Sequence, residues 1–290
     1  MKSLQGALLV IGSSVAFGAM AIFARYAYAA GIDPVSLLFL RFFLAGVVML
    51  VVVLYRKIAL PTGKTLVGYS LMGGIGYVGQ SLAYFIALTM ASASSVALLL
   101  YTFPAIVALV ESLWLRQKFS FLKLVALVLS LSGVALTIGF DLQGKPLGII
   151  LAIAAAVIYS FYILTGKQLA GKTSVMASST TIMLSAGTVF GVLTVLQGFQ
   201  GPTTVEGWLA VAGIIVVSTI FAMLSFFAGL EHVGATNAAM LSTFEPVTTV
   251  LLAALFLGEP IGIFTFLGGG LILGSALLLT RSEWTKKASA

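Results

Sequence analysis

Cysteine is absent from this 290-residue chain, so it can build neither a disulfide nor a thiolate metal site. Histidine occurs once, at His232. A paired-histidine metal motif or a histidine-dependent hydrolytic pair therefore lacks its raw material, which argues against an intramembrane enzyme. Charge is scarce too: 15 basic and 8 acidic side chains make up 8% of the chain, against about 25% in a soluble domain. Apolar residues fill the space, at 60% of the composition with mean hydropathy +1.17. An ordinary soluble domain is excluded, and the fold class is an all-α integral membrane protein.

A helix crosses the hydrocarbon core with roughly 20 apolar residues. Ten such segments fit, near 5–29, 34–55, 65–89, 93–115, 121–140, 146–166, 174–197, 205–229, 235–257 and 261–281. The first is too long for a leader core and is expected to be retained. A net charge of +7 raises the possibility of a nucleic-acid partner, but the positions of the basic residues say otherwise. Counting alternate sides, the one holding both termini carries twelve, including Arg56, Lys57, Lys64, Arg116, Lys118, Lys167 and Lys172, while the other carries Arg25 and Lys145. Lys and Arg are retained in cytoplasmic loops, so both termini are expected in the cytoplasm and no nucleic acid is implied.

A shift of 142 residues aligns Gly6–Phe17 with Gly148–Tyr159, and also pairs Ala93 with Ala235 and Pro104 with Pro246. The chain thus reads as two five-span repeats, 1–142 and 143–290. Because five is odd, the second enters the membrane from the opposite side, giving an inverted pair of the kind used for alternating access around a midplane site. Five of the seven prolines fall at span boundaries. Pro104 and Pro246 lie mid-span in spans four and nine, and are expected to act as hinges.

Ten spans, two halves and these proline-bearing spans resemble the EamA family of the drug/metabolite transporter superfamily. The residues that carry the resemblance are Ala93-Ser-Ala-Ser-Ser-Val-Ala-Leu-Leu-Leu-Tyr-Thr-Phe-Pro104, Gly234-Ala-Thr-Asn-Ala-Ala-Met-Leu-Ser-Thr-Phe-Glu-Pro246 and Leu257-Gly-Glu-Pro260. The first half departs from the pattern, with Arg116-Gln-Lys118 where Gly-Glu-Pro would stand. The resemblance implies a multi-pass secondary carrier of the bacterial inner (plasma) membrane that exports small metabolites. Within the family the chain is most similar to the aromatic amino acid exporters of the YddG type. Exporters of threonine, purines or cationic compounds stand as alternatives, as does a passive channel.

Tyr77, Gln80, Ser81 and Tyr84 share one helical face of span three. Met223 lies on the matching face of span eight, Tyr101 on that of span four, and Asn237, Phe244 and Glu245 on that of span nine. With Phe17 of span one and Tyr159 and Tyr162 of span six, they predict a substrate-binding cavity with aromatic walls and few polar groups. Glu245 is the one acidic residue near a span centre, where an ionisable group costs about 2.5–3.5 kcal/mol on insertion scales. Three roles are open to it: binding a substrate ammonium, carrying a coupling proton, or bonding backbone freed by Pro246. Arg41 is expected to snorkel to the membrane surface, with pairing to Glu245 or binding of a carboxylate as the other readings.

Two motifs are decoys. Gly74-Ile-Gly-Tyr-Val-Gly79 spells a dinucleotide fingerprint but lies inside an apolar span, so it is expected to be a helix-packing surface. Gly139-Phe-Asp-Leu-Gln-Gly-Lys145 nearly spells a phosphate loop, but Pro146 follows where Ser or Thr is required. Gly268, Gly269, Gly270 and Gly274 are read as packing, and His232 as a solvated loop residue. No cofactor and no metal are expected. The expected partners are an amino acid or similar small solute and lipid, with protons as a coupling ion or facilitated diffusion without them both open; a monomer is expected.

Overall fold

A computed structural model of the chain describes residues 2–114, 121–138, 145–169, 171–242 and 244–288. It is 85% helical, with no strand among the described residues. Helices α1 (Lys2–Gly18) and α2 (Met20–Ala29) form one rod interrupted at Ala19, followed by α3 (Pro34–Tyr55). Helices α4 (Gly63–Leu71) and α5 (Val78–Ala87) are joined by a π-helical segment, Met72–Tyr77. Then come α6 (Ala93–Leu100), α7 (Phe103–Trp114), α8 (Phe121–Ile138), α9 (Pro146–Leu169) and α10 (Val175–Gln197). Helix α11 (Val205–Ile215) runs through a second π-helical segment, Val216–Phe221, into α12 (Ala222–Leu241), and α13 (Phe244–Leu257) and α14 (Ile263–Ala288) complete the chain. Five of these stretches are long and apolar enough to cross a membrane unaided: Leu4–Ala29, Pro34–Tyr55, Pro146–Gly166, Val175–Gln197 and Val205–Leu230.

Helix boundaries follow local chemistry. Pro34 opens α3 in the first turn, where its missing N–H is no loss, and Asp33 caps that end by accepting from the Val35 and Ser36 amides at 2.8 and 3.1 Å. Ser174 and Thr204 cap α10 and α11 in the same way. Gly198 ends α10 with φ of +88°, a backbone conformation that favours glycine.

Helix α12 is helical residue by residue, yet it cannot be straight. At about 1.5 Å per residue its ends would lie roughly 28 Å apart. The Ser13 hydroxyl nevertheless donates to Ala222 O at 2.7 Å, and the adjacent Ser14 hydroxyl donates to Leu241 O at 3.2 Å. Gly6 packs against Gly229, His232 and Val233. The chain therefore descends along α1 from Ala222, reverses near Val233, and climbs back beside α1 to Leu241. This matches the turn expected between spans eight and nine, with His232 exposed at the reversal.

Helix α3 packs on α10, and α8 on α14. The N-terminal helix α1 packs on α12 and α13, while α9, its counterpart 142 residues on, packs on α5, α6 and α7. The glycines of the apparent dinucleotide fingerprint are packing positions: a Cβ on Gly74 would meet Val189, on Gly76 Tyr162, and on Gly79 Ile158. In α14, Gly268 faces Gly133 and Gly269 faces Leu98, but a Cβ on Gly270 or Gly274 would meet open space, so those two are not packing glycines.

The Gly258-Glu259 pair has a structural job. Both Glu259 oxygens cap α6 of the other half, accepting from the Ala93 amide at 2.7 Å and from the Ser94 amide and hydroxyl at 3.0 and 2.7 Å. Substituting Glu259→Ala is expected to cost about 1–2 kcal/mol, the scale of a lost helix cap. Thermal unfolding of the detergent-solubilised protein measures it, and Glu206→Ala in the first turn of α11 serves as a control with a smaller expected effect.

Candidate functional site

The two mid-span interruptions meet. Helices α6 and α7 are separated at Tyr101–Thr102, and α12 and α13 next to Ser242. The Tyr101 hydroxyl lies across this junction, 2.8 Å from Ser242 O and 3.0 Å from Glu245 Oε2. One phenol O–H is thereby shared between the Ser242 carbonyl, which also accepts from the Glu245 amide at 3.0 Å, and the carboxylate beside it. Backbone freed near Pro246 was one role open to Glu245, but the described contact of its carboxylate is the Tyr101 hydroxyl. Pro104 and Pro246 sit one or two residues into the helices after the breaks, so the chain is interrupted ahead of each proline instead of bending at it.

From Tyr101 a continuous series of ring contacts leads away. Tyr101 meets Phe103 edge-on at 5.8 Å, Phe103 meets Tyr159 edge-on at 4.9 Å, and Tyr159 stacks on Tyr162 at 5.8 Å. Tyr162 stacks on Tyr77 at 5.4 Å, and Tyr77 meets Phe42 edge-on at 5.1 Å. Offset-stacked and edge-on pairs at these separations are the favoured geometries of aromatic rings. Tyr77 is the last residue of the first π-helical segment, a class of distortion frequent at functional sites.

Arg41 does not snorkel. It is 3% exposed, its Nε donates to Thr219 Oγ1 at 3.1 Å, and its guanidinium lies over Phe42 at 4.7 Å and Phe85 at 5.4 Å. Thr219 belongs to the second π-helical segment, where its hydroxyl also donates to Ile214 O at 2.8 Å. Depth along a helix had suggested the membrane surface, but the face of α3 that carries Arg41 points into the bundle. Arg41 and Glu245 lie within each other's electrostatic reach, as does Tyr84 with both, yet no contact ion pair joins the two among the described residues.

The remaining expected residues fall into four groups. Gln80, Ser81 and Tyr84 are buried as expected, with the Ser81 hydroxyl donating to Gln80 Oε1 at 3.2 Å and Tyr84 edge-on to Phe85 at 5.6 Å. Met223 packs against the main core. Phe17 is half-buried and Phe244 is 46% exposed; among the described residues neither has a ring contact with the series, so the structure does not bring them to it. The Asn237 side chain lies outside the described residues. Phe103, Phe42 and Arg41 belong to the site although the helical-face pattern did not select them. The signal for Phe103 was available, since it is the 142-residue counterpart of Glu245. Among the described residues no cluster of three His, Cys, Asp or Glu side chains occurs.

The EamA-like transporter family matches residues 4–139 and, separately, 146–281, the second match beginning and ending 142 residues after the first. The chain is similar to the uncharacterized transporter YcbK of Bacillus subtilis, 25% identical over 300 residues that cover 98% of this chain and 95% of that protein. It is also similar to the uncharacterized inner membrane transporter YedA of Escherichia coli K12, 25% identical over 255 residues covering 87% and 83%. A solved crystal structure superposes with a TM-score of 0.67 at 18% identity, covering 98% of this chain and 99% of the other, which speaks for the fold alone. None of these names carries a substrate, so they do not support the aromatic amino acid subtype. With all but its ends and the short stretch between the halves matched, this chain belongs to the EamA-like transporter family.

Proposed function

We propose that this protein exports amino acids with aromatic side chains by alternating access, and that the junction of the two broken helices is where the substrate binds. The observation that carries this reading is the run of ring contacts ending at Tyr101 and Glu245. Aromatic surfaces accept a flat apolar side chain, and the carboxylate takes its ammonium. Ten spans, two inverted repeats (1–142 and 143–290) and cytoplasmic termini are the topology this proposal uses. The twelve-to-two sorting of basic residues and the exchange of packing partners between α1 and α9 support it. The setting is the inner membrane of a bacterium, in keeping with the name of the Escherichia coli relative, and the working unit is a monomer that performs no chemistry on its substrate.

The test is efflux of labelled phenylalanine from proteoliposomes. A carrier saturates and is accelerated by unlabelled substrate on the far side, whereas a passive channel does neither. Threonine, a purine and a cationic drug in the same assay separate the rival substrates, and an imposed pH gradient reads out proton coupling. Glu245→Gln is expected to lower phenylalanine transport about tenfold or more, the equivalent of roughly 1.4 kcal/mol, with its level in the membrane unchanged. Wild-type rates at several pH values would remove Glu245 from the mechanism. Tyr101→Phe keeps the ring but removes the one hydroxyl shared by Ser242 O and Glu245 Oε2; it is expected to cost about 1 kcal/mol of stability, read by thermal unfolding in detergent, and to impair transport less than Glu245→Gln.

A further inference from the structure

We infer that Arg41 is the anion anchor of the same site, holding the carboxylate of a zwitterionic substrate whose ammonium lies at Glu245. This rests on the reading of the central junction as the substrate site, and it narrows the substrate class to molecules with a free carboxylate beside a free amine.

The guanidinium is a buried cation whose contacts among the described residues are all neutral. Thr219 accepts from Nε, the Tyr77 side chain lies in its electrostatic neighbourhood, and the rings of Phe42 and Phe85 cover its plane. A buried charge is ordinarily paired with an opposite one, because the cost of removing it from water is repaid only by good geometry and further hydrogen bonds. Arginine offers five N–H donors in a planar fork that matches a carboxylate in two-point fashion. Nε is spent on Thr219, and no carboxylate of the described chain occupies the fork. Glu245 lies within its electrostatic reach, as does Tyr84, but makes no contact ion pair with it.

The internal repeat shows that the charge is not needed to build the fold. The residue 142 positions after Arg41 is Met183, fully buried where α10 packs on α3. The same backbone environment therefore accepts an apolar side chain of similar length. Tyr77 and Thr219, the two hydroxyls beside the guanidinium, are themselves 142 residues apart and lie in the two π-helical segments. Both halves thus turn a distorted helix toward a cation that only one half supplies. The ring series reaches from Glu245 by way of Tyr101 to Tyr77, and Tyr84 lies in the field of both charges, so cation, carboxylate and aromatic surface border one region.

The experiment compares thermal unfolding of the full chain in detergent with four probes: phenylalanine, 3-phenylpropionate (carboxylate only), phenethylamine (ammonium only) and acetate. In the wild type, phenylalanine and 3-phenylpropionate are expected to raise Tm. Arg41→Met copies the counterpart residue; it is expected to unfold at the same or a higher temperature without ligand, to lose the response to 3-phenylpropionate, to bind phenylalanine at least about tenfold more weakly, and to keep its response to phenethylamine. Arg41→Lys retains charge without the fork and is expected to fall between. An unchanged affinity of Arg41→Met for 3-phenylpropionate overturns the inference. So does a variant whose unliganded Tm falls while phenylalanine and phenethylamine weaken equally, the mark of a purely structural arginine. If Arg41→Met is not recovered folded, an Arg41→Lys protein that binds 3-phenylpropionate as tightly as wild type overturns it instead. Stabilisation of wild type by phenethylamine but by no carboxylate sinks the anchor and leaves the aromatic site standing. Stabilisation by acetate but not by phenylalanine keeps the anchor and sinks the aromatic amino acid reading. No response to any probe overturns both.

Discussion

A helix interrupted inside a bilayer leaves carbonyls that water cannot reach, so the protein itself must satisfy them. Here one phenol bridges the two interruptions, and hydroxyls within each segment do the rest. Tyr101, at the first break, donates to Ser242 O at the second, while the Thr102 and Ser242 hydroxyls turn back to Leu99 O and Ala238 O in their own helices. Thr249 lies between Gly18 O and Glu245 O, tying the start of α13 to the kinked end of α1. Gly18 makes that approach possible, since a Cβ there would stand 2.6 Å from Glu245 O. The placement of Glu245 thus follows from the way backbone is satisfied around it.

Much of this arrangement was legible in the chain. Pro34 and the apolar run after it marked a helix that the structure extends over Pro34–Tyr55, and the expected span at 174–197 became Val175–Gln197. The interruptions of spans four and nine were legible as a symmetric proline pair, although not that the chain would break ahead of each ring. Proline is tolerated in a helix's first turn and costly further in, so the helix restarts just before it. The π-helical segments were not legible, because one extra residue in a turn barely alters an apolar pattern. Which face points inward was also hidden. In a membrane, lipid is as apolar as the core, so hydrophobicity alone did not distinguish Phe244, half exposed, from Phe103, packed on Tyr159. Arg41 was misplaced for a related reason: its depth could be estimated from sequence, but not its orientation.

The two halves share their backbone devices and differ in their charges. Each has one broken helix and one π-helical segment at corresponding places, with Tyr77 matched to Thr219 and Pro104 to Pro246. Glu245 answers to Phe103, and Arg41 answers to Met183. Backbone symmetry gives a fold two comparable ways of closing, one toward each side of the membrane. A chemically symmetric centre would offer a substrate nothing to orient it. On the proposed function, one carboxylate and one guanidinium placed off the symmetry would supply direction without disturbing the scaffold, since in each case the counterpart shows that the position also accepts an apolar side chain.

The absence of a contact pair between those charges bears on how such a centre moves. A direct buried ion pair is hard to separate, because removing one charge from the other leaves both uncompensated in a low dielectric. The contacts that do cross the junction are hydrogen bonds from one tyrosine hydroxyl to a carbonyl and a carboxylate, and interhelical hydrogen bonds in membranes average only about 0.6 kcal/mol. Two states that differ by several such contacts remain within a few kcal/mol of each other, the range in which both are populated and a bound solute can shift the balance. A locked Arg41–Glu245 pair would hold one closure too firmly for that. On the proposed function, keeping the two charges near but apart would let the junction close by many weak contacts and leave the strongest electrostatic interaction in the centre to the solute.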